Sequence, residues 1–331
     1  MTVDKTRIKK TEAKYLKRAQ GIVTKYEKLS GHNYDQNTEA FCDYLIDLTK
    51  GKTQSNLRQI KASCAYFATV QGHSELSKAI CNLPSAQATS KSQGNNTSSQ
   101  KKKHISHEDE LKIHNYILGE IKSGDDGSFW NKPTFVFFKA GLAVGLRPIE
   151  WQSSELLNEA TLECEDLSPP ILKVKNGKST NGRSYGEFRY IGIAPLPKQD
   201  IAMVKEAIRL AKHTLNSSGT KLDWEDYYSA ISGRLYNITK RLFPRSKKRP
   251  TLYSCRHQHI ANLKSAGYPL IEIACLSGHL TDVTATEHYG KRRFGNKDTN
   301  LPVANPKDLG KIKQMFGQHK PSMAPATTPS M

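Results

Sequence analysis

The sequence predicts a mainly α-helical protein with one small antiparallel β-sheet, and it divides the chain into two domains. Apolar residues recur at helical intervals both before residue 87 and after residue 103, and a polar stretch separates these two parts. Residues 171–193 have strand-like ends around a polar, glycine-containing centre, which is typical of a β-hairpin. A length of 331 residues also fits two domains, since one domain commonly has about 150 residues.

Residues 1–86 are predicted to form a small, all-helical domain with a basic surface. The first helix carries apolar side chains at helical spacing, including Ala19, Val23 and Tyr26, with many lysines between them. Further apolar stretches that end at glycine or proline predict three more helices, over residues 41–51, 57–70 and 76–83.

Residues 87–103 are predicted to be a basic, flexible linker. This stretch, QATSKSQGNNTSSQKKK, has almost no apolar side chain that could bury enough surface to offset the entropy of ordering. Its terminal lysines, Lys101, Lys102 and Lys103, fit contacts to a phosphate backbone and fit a solvated linker end equally well.

Residues 104–300 are predicted to form the larger domain, which combines the β-hairpin with helices. The helical segments lie over residues 108–121, 132–144, 201–215, 227–242, 256–265, 270–276 and 282–288.

Residues 301–331 are predicted to contain a C-terminal helix and a disordered tail. Leu309, Ile312 and Phe316 form an apolar stripe on a helix expected around residues 307–316. This stripe fits docking against a neighbouring protomer, and it fits docking onto its own domain nearly as well. The Pro- and Ser/Thr-rich tail after Gly317 is expected to be disordered.

The charge balance indicates a nucleic-acid partner. The chain has 50 Lys plus Arg against 31 Asp plus Glu, a net charge of +19. No apolar run is long enough to span a membrane, and the N-terminus lacks the apolar centre of a signal peptide. The 6 cysteines form no CxxC pair or short spacing, which disfavours a zinc knuckle or a disulfide framework. These features predict a cytoplasmic protein that associates with DNA and not with membranes.

Arg147 is the first candidate functional residue. In GLAVGLRPIEW, Gly145 ends one helix and Pro148 suits the first turn of the next, so Arg147 lies at a helix junction. A guanidinium group there can direct its planar fork toward an anion. The alternative is a structural ion pair with Glu150, and on this segment alone that alternative is favoured.

A second cluster of polar residues lies between residues 251 and 290. Arg256, His257 and His259 are placed at the start of a helix, His279 follows a glycine in a turn, and Tyr289 follows the next short helix. A metal site is disfavoured, because side chains two apart on a helix point in different directions and acidic ligands are few.

The order and spacing of these residues resemble the tyrosine recombinases, or phage integrases. The matching boxes, in chain order, are GLRPIE from Gly145, YSCRH from Tyr253, LSGH from Leu276, and then Tyr289. The resemblance covers residues 132–293 well, whereas residues 1–86 agree only in type. It implies a helical DNA-binding domain, similar to a core-binding domain, followed by a catalytic domain like that of the tyrosine recombinases.

The resemblance implies a role for each site residue. Arg147 and Arg256 hold the non-bridging phosphate oxygens, and Tyr289 attacks the phosphorus to form a 3′-phosphotyrosyl bond. Lys178, in the hairpin, protonates the leaving 5′ oxygen, with Lys175 as the alternative. His279 hydrogen-bonds the phosphate or assists removal of the Tyr289 proton. No cofactor, ATP or metal is required by this chemistry.

Tyr253 departs from the family pattern, which has histidine at this position. A phenol can hydrogen-bond a phosphate oxygen but is a poor base at neutral pH, since its reference pKa is about 10. The alternatives to a site-specific recombinase are therefore a type IB topoisomerase-like enzyme, a catalytically weakened DNA-binding protein and a metal-dependent nuclease. The implied partners are double-stranded DNA and further protomers, as a dimer to tetramer on DNA, with room for an accessory DNA-bending protein.

Overall fold

A computed structural model describes residues 9–50, 54–84, 102–123, 129–177, 184–284, 289–297 and 300–315. The chain separates into two compact units, Met1–Thr97 and Ser98–Met331. Within the described residues, no helix is both long enough and apolar enough to cross a membrane.

The first unit contains helices α1 (Lys9–Ser30), α2 (Thr38–Thr49), α3 (Gln54–Val70) and α4 (Ser74–Asn82). Their apolar faces meet in one core around Tyr26, Phe41, Leu45 and Ile80. The rings of Tyr26 and Phe41 pack edge to face at 5.0 Å. The helices predicted in this part of the sequence are therefore present, and their apolar stripes form the core.

The second unit contains six longer helices. They are α5 (His107–Lys122), α6 (Asn131–Val144), α7 (Lys198–His213), α8 (Trp224–Leu242), α9 (Leu252–Ser265) and α10 (Leu270–Ser277). Short 3₁₀ helices cover Pro148–Ser153 and Arg292–Phe294, and a further helical turn covers Pro306–Leu309.

Helix α6 is the centre of this unit. Its sequence, NKPTFVFFKAGLAV, is apolar on nearly every side, and it contacts α5, α7, α8 and α9. Gly141 allows α9 to come close, because a Cβ at this position would lie 3.1 Å from the Cβ of Cys255. The close packing of α6 against α9 fixes the two helices that carry the candidate site.

A four-stranded antiparallel sheet lies in the order β1 (Glu155–Leu157), β2 (Ile171–Lys175), β3 (Phe188–Gly192) and β4 (Val303–Ala304). The predicted hairpin corresponds to β2 and β3, which pair with Leu172 opposite Ile191. Strands β1 and β4 were not predicted, because segments of two or three residues are too short to show an alternating pattern. The expected fold class, mainly α with a small antiparallel sheet, is confirmed.

The segment after β4 differs from the helix predicted over residues 307–316. The helix ends at Leu309, and Gly310 follows it. Ile312 is buried in the core of its own unit, and the backbone N–H of Lys313 donates to the Leu280 carbonyl at 2.9 Å. The apolar stripe therefore covers its own domain as far as Ile312, whereas Phe316 lies outside the described residues.

Candidate active site

The C-terminal ends of two helices meet at the candidate site. Helix α6 ends at Gly145 and α10 ends at Gly278, and both glycines have positive φ angles, of 60° and 62°. A Cβ at Gly278 would lie 2.5 Å from Oδ1 of Asn176, so a larger residue would not fit. Because the last carbonyls of a helix carry partial negative charge, two such ends favour cations between them.

Arg256 occupies the space between the two helix ends. It lies on α9 and is 1% exposed. Its Nη1 donates to the Gly145 carbonyl at 2.6 Å, and its Nη2 donates to the Ser277 carbonyl at 2.7 Å. Its Nε donates to the hydroxyl oxygen of Tyr289 at 3.3 Å. The helix ends thus fix the guanidinium plane, and the remaining N–H points at the phenol.

Three successive carbonyls at the end of α10 hold three arginines. The Leu276 carbonyl accepts from Arg189 Nε at 3.1 Å, and the Ser277 carbonyl accepts from Arg256. The Gly278 carbonyl accepts from Nη2 of Arg147 at 3.4 Å. One helix terminus therefore collects guanidinium groups from three separate segments of the chain.

Glu150 neutralises only part of this charge. The buried carboxylate accepts from Arg147 Nη1 at 2.6 Å and from Arg189 Nη2 at 2.8 Å. Within the cluster of Arg147, Arg189, Arg256 and Glu150, two positive charges remain without a carboxylate partner. Nε of Arg147 is buried and has no hydrogen-bond acceptor among the described residues. Buried charges in this situation favour binding of an anion.

Replacing Glu150 is expected to destabilise the second unit. Glu150→Gln removes the carboxylate from two buried arginines and should lower the free energy of unfolding by about 3–5 kcal/mol. Chemical denaturation at pH 7 measures this loss. Glu187→Gln is the matched control, because its pair with Lys175, at 2.9 Å, is about half exposed and should change the stability by less than about 1 kcal/mol.

The same variant has an expected pH dependence. Burial opposes ionisation of Glu150, but Arg189 and Arg147 outweigh it and lower its pKa far below the usual value. A lowered folded-state pKa contributes stability that is present above the unfolded pKa of about 4.3 and is lost as the pH falls below it. The difference between wild type and Glu150→Gln should therefore be constant from pH 5 to 7 and shrink below pH 4. A constant difference at all pH values would contradict this assignment.

His279 follows Gly278 and contacts Arg256. Its Nε2 lies 3.1 Å from Nη2 of Arg256, and since arginine can only donate, Nε2 is the acceptor. The neutral ring then carries its proton on Nδ1, which is buried without a partner in the described structure. Burial, followed by the charges of Arg256 and Arg147, keeps the pKa of His279 well below its usual value. His279 is therefore a neutral ring with a hydrogen-bond donor to offer.

Tyr289 lies beside these cations. Its ring centroid is 5.0 Å from the ring centroids of both His257 and His279. Burial disfavours the phenolate, but Arg256 and Arg147 outweigh burial and lower the pKa of Tyr289 to about 8. Tyr289 is thus a phenol activated as a nucleophile near neutral pH.

The segment after Tyr289 is attached to α9 of the same chain. Lys264 Nζ donates to the Gly290 carbonyl at 2.8 Å, and Gln258 Nε2 donates to the Phe294 carbonyl at 2.7 Å. These bonds place Tyr289 in the site formed by its own chain.

Tyr253 lies within α9, although the sequence predicted that it precedes the helix. The helix begins at Leu252, because Thr251 caps it: the Thr251 side chain accepts from the Ser254 backbone, and Ser254 accepts from the Thr251 backbone in return. The Tyr253 hydroxyl is 3.4 Å from that of Tyr289. Burial, followed by the Tyr289 charge, raises the pKa of Tyr253 to about 12.

The structure brings together Arg147, Tyr253, Arg256, His279 and Tyr289, which the sequence selected. Lys178 lies outside the described residues. The residue before it, Gly177, donates its backbone N–H to Oε1 of Glu150 at 3.2 Å. Lys175, the alternative lysine, pairs with Glu187 at 2.9 Å.

Sequence reasoning missed Arg189. In β3 it lies in phase with Ile191 on the buried face, so an arginine at an inward-facing strand position was the available signal. Arg189 is 0% exposed and also donates to Asn176 at the end of β2. It ties the sheet, Glu150 and the end of α10 together.

The other histidine of the cluster, His259, has a structural role. Its Nδ1 lies 3.1 Å from the Leu142 carbonyl, and burial lowers its pKa to about 4. In the described part of the chain, no three His, Cys, Asp or Glu residues are grouped so that they could hold a metal ion.

Comparison with solved structures finds likenesses that cover most of the chain. A lambda integrase (75-356) dimer bound to a COC′ core site aligns over 87% of this chain and 91% of that chain, with TM-score 0.46 and 12% identity. XerH site-specific recombinase bound to difH aligns over 84% and 76%, with TM-score 0.47 and 14% identity. XerA recombinase aligns over 92% and 91%, with TM-score 0.36 and 14% identity.

These solved structures are integrases and recombinases, the kind of protein that the sequence motifs of this chain resemble. No protein-family model matches the sequence, and no curated protein matches it. With TM-scores below 0.5, the likeness by itself assigns no activity to this chain.

Proposed function

We propose that the chain is a tyrosine-type site-specific DNA recombinase or integrase, which cuts and rejoins DNA strands through a 3′-phosphotyrosyl intermediate. The observation that carries this proposal is the buried arginine cluster, with two uncompensated positive charges directly beside the lowered-pKa phenol of Tyr289.

The charge of the cluster matches the charge of the reaction. A phenolate that attacks a phosphodiester brings one negative charge to a group that already carries one. The transition state therefore has two negative charges, which the surplus charge of Arg147 and Arg256 can balance. Fixed, buried donors stabilise such charge more strongly than water does, because they need no reorganisation during the reaction.

Each donor at the site has a proposed target on the phosphate. Arg147 and Arg256 bind the non-bridging oxygens, and the Nδ1–H of His279 donates to one of the same oxygens. Tyr289 attacks the phosphorus and releases the 5′ oxygen. Lys178 protonates that oxygen, a role supported by its neighbour Gly177, which is bonded to the Glu150 that holds Arg147.

The proposed substrate is double-stranded DNA. A net charge of +19 provides the phosphate contacts that such binding requires, and these contacts make affinity fall steeply with salt. Residues 1–86 would bind the duplex as a helical domain, residues 87–103 would connect it, and residues 104–300 would carry the chemistry. Exchange of strands between two sites requires self-association on DNA, as a dimer or tetramer. The protein would be cytoplasmic and associated with the nucleoid.

Covalent capture tests this proposal without knowledge of the DNA site. The full-length protein is mixed with a pool of random-sequence duplexes that each carry one nick, and complexes resistant to SDS are recovered and sequenced. We expect EDTA-insensitive adducts that are enriched for a common sequence. No adduct above the background of Tyr289→Phe would contradict the proposal, and loss of cleavage with EDTA would favour a metal-dependent nuclease.

The captured sequence then separates the proposal from its two closest alternatives. A recombinase is expected to join two DNA molecules that carry this sequence, whereas a type IB topoisomerase-like enzyme would relax a supercoiled plasmid and join none. A catalytically weakened DNA-binding protein would bind the pool with normal salt dependence and form no adduct.

A further inference from the structure

Two phenols share one hydrogen bond at the candidate active site. The hydroxyl oxygens of Tyr253 and Tyr289 are 3.4 Å apart, and Nε of Arg256 donates to the Tyr289 oxygen at 3.3 Å. Tyr253 is fixed in the first turn of α9, one turn before Arg256 on the same helix. Both donors therefore reach the Tyr289 oxygen from one rigid element.

We infer that Tyr253 is a positioning residue that donates its phenolic proton to the Tyr289 oxygen and so holds Tyr289 as the attacking phenolate, without a histidine base. This inference rests on the proposed function, because it describes how the proposed nucleophile is activated.

The groups that face Tyr289 leave little opportunity for a base. They are Arg256, Tyr253 and His257 from α9, His279 from the turn after α10, and Arg147 from the junction after α6. The arginines are permanent cations, and the Nε2 lone pair of His279 already accepts from Arg256. Glu150 is occupied by Arg147 and Arg189.

The opposite behaviour of the two phenols fixes the direction of the hydrogen bond. Burial and the neighbouring Tyr289 charge raise the pKa of Tyr253 to about 12. Burial acts against ionisation of Tyr289, but Arg256, Arg147 and the Tyr253 hydrogen bond lower its pKa to about 8. Near neutral pH, Tyr253 therefore keeps its proton as the donor, and Tyr289 is the phenol that ionises.

The chemical step balances without any additional reactant. The Tyr289 proton passes to solvent hydroxide, and the phenolate lone pair forms the new O–P bond. The P–O5′ bond breaks, and the leaving oxygen takes a proton from the proposed acid Lys178. Tyr253 is unchanged by the step. Because an ester oxygen is a weaker acceptor than a phenolate, the Tyr253 hydroxyl is then free to donate to a phosphate oxygen.

Ionisation of Tyr289 can be measured on the free protein, without DNA. The chain has 14 tyrosines, so the tyrosinate absorbance of Tyr289→Phe is subtracted from that of wild type to isolate Tyr289. We expect a midpoint near pH 8, and in Tyr253→Phe, isolated in the same way against Tyr253→Phe/Tyr289→Phe, a midpoint about one pH unit higher, because a hydrogen bond to the phenolate is lost. Tyr236→Phe, at a tyrosine that is 49% exposed on α8, is the control and should leave the midpoint unchanged.

Cleavage rates provide the second measurement, under single-turnover conditions on the captured DNA sequence. Tyr253→Phe is expected to be about tenfold slower than wild type at pH 7, and less than about twofold slower at pH 9.5, where both phenols at position 289 are ionised. Tyr253→His, which offers an N–H donor in the same place, is expected to restore most of the rate at pH 7.

Three outcomes separate this inference from its alternatives. An equal slowing of Tyr253→Phe at pH 7 and pH 9.5, or an unmoved Tyr289 titration, would overturn it and leave Tyr253 with a packing role. A rate that rises with a midpoint at or below pH 6.5 would also overturn it, because it would indicate a histidine base. A shifted titration in a protein that forms no adduct with any DNA would contradict the proposed function and leave the hydrogen-bonded pair standing.

Discussion

Arg256→Ala is expected to reduce covalent adduct formation by about 100-fold or more, since removal of one fixed donor to a developing oxyanion commonly has an effect of this size. The side chain bonds to two helix-end carbonyls, to His279 and to Tyr289 at once. Its loss removes a phosphate donor and also one of the charges that ionise Tyr289. Single-turnover cleavage of the captured DNA sequence measures the effect.

Arg256→Lys is the control that keeps the charge. A lysine ammonium is a single point of charge and cannot replace the planar fork, so this variant should remain severely slowed. Thermal unfolding and DNA affinity are measured alongside, because the Gly145 and Ser277 carbonyls lose their partner in the alanine variant. A folded Arg256→Ala protein that cleaves within about tenfold of wild type would disprove the phosphate-binding role of Arg256.

Tyr289→Phe is expected to form no adduct at all while it binds DNA with wild-type affinity and salt dependence. The change removes the oxygen that attacks phosphorus and leaves the ring between His257 and His279 in place. Gel electrophoresis in SDS measures the adduct, and a mobility-shift titration measures binding. Tyr236→Phe, which removes an exposed hydroxyl from α8, should behave as wild type in both assays. An adduct that survives in Tyr289→Phe would show that another group attacks.

The sequence predicted most helices of both units, because their apolar residues repeat at helical spacing and their ends carry glycine, proline or polar caps. The start of α9 was placed too late. The helix begins at Leu252 after a Thr251–Ser254 capping box, a pattern of two small hydroxyl residues that is weaker than one with glutamate. The consequence matters for function, since Tyr253 becomes part of the same rigid helix as Arg256.

The site residues could be selected from the sequence, but the way they are held could not. The order of the GLRPIE, YSCRH and LSGH boxes identified the arginines, His279 and Tyr289. Backbone carbonyls carry no sequence signal, so the role of Leu276, Ser277 and Gly278 in holding three arginines was visible only in three dimensions. The ion pair between Arg147 and Glu150 was offered as the alternative to an anion-binding role. The structure contains that pair, and Glu150 is shared with Arg189.

The identity of the amino acid that joins the DNA tests the central claim most directly. Wild-type protein is trapped on a nicked suicide substrate, digested with protease, and the peptide that carries the nucleotide is sequenced by mass spectrometry. We expect a single modified residue, Tyr289, joined through its phenolic oxygen to a 3′ phosphate. A nucleotide found on Tyr253 or on any other residue, or a linkage to a 5′ phosphate, would contradict the account.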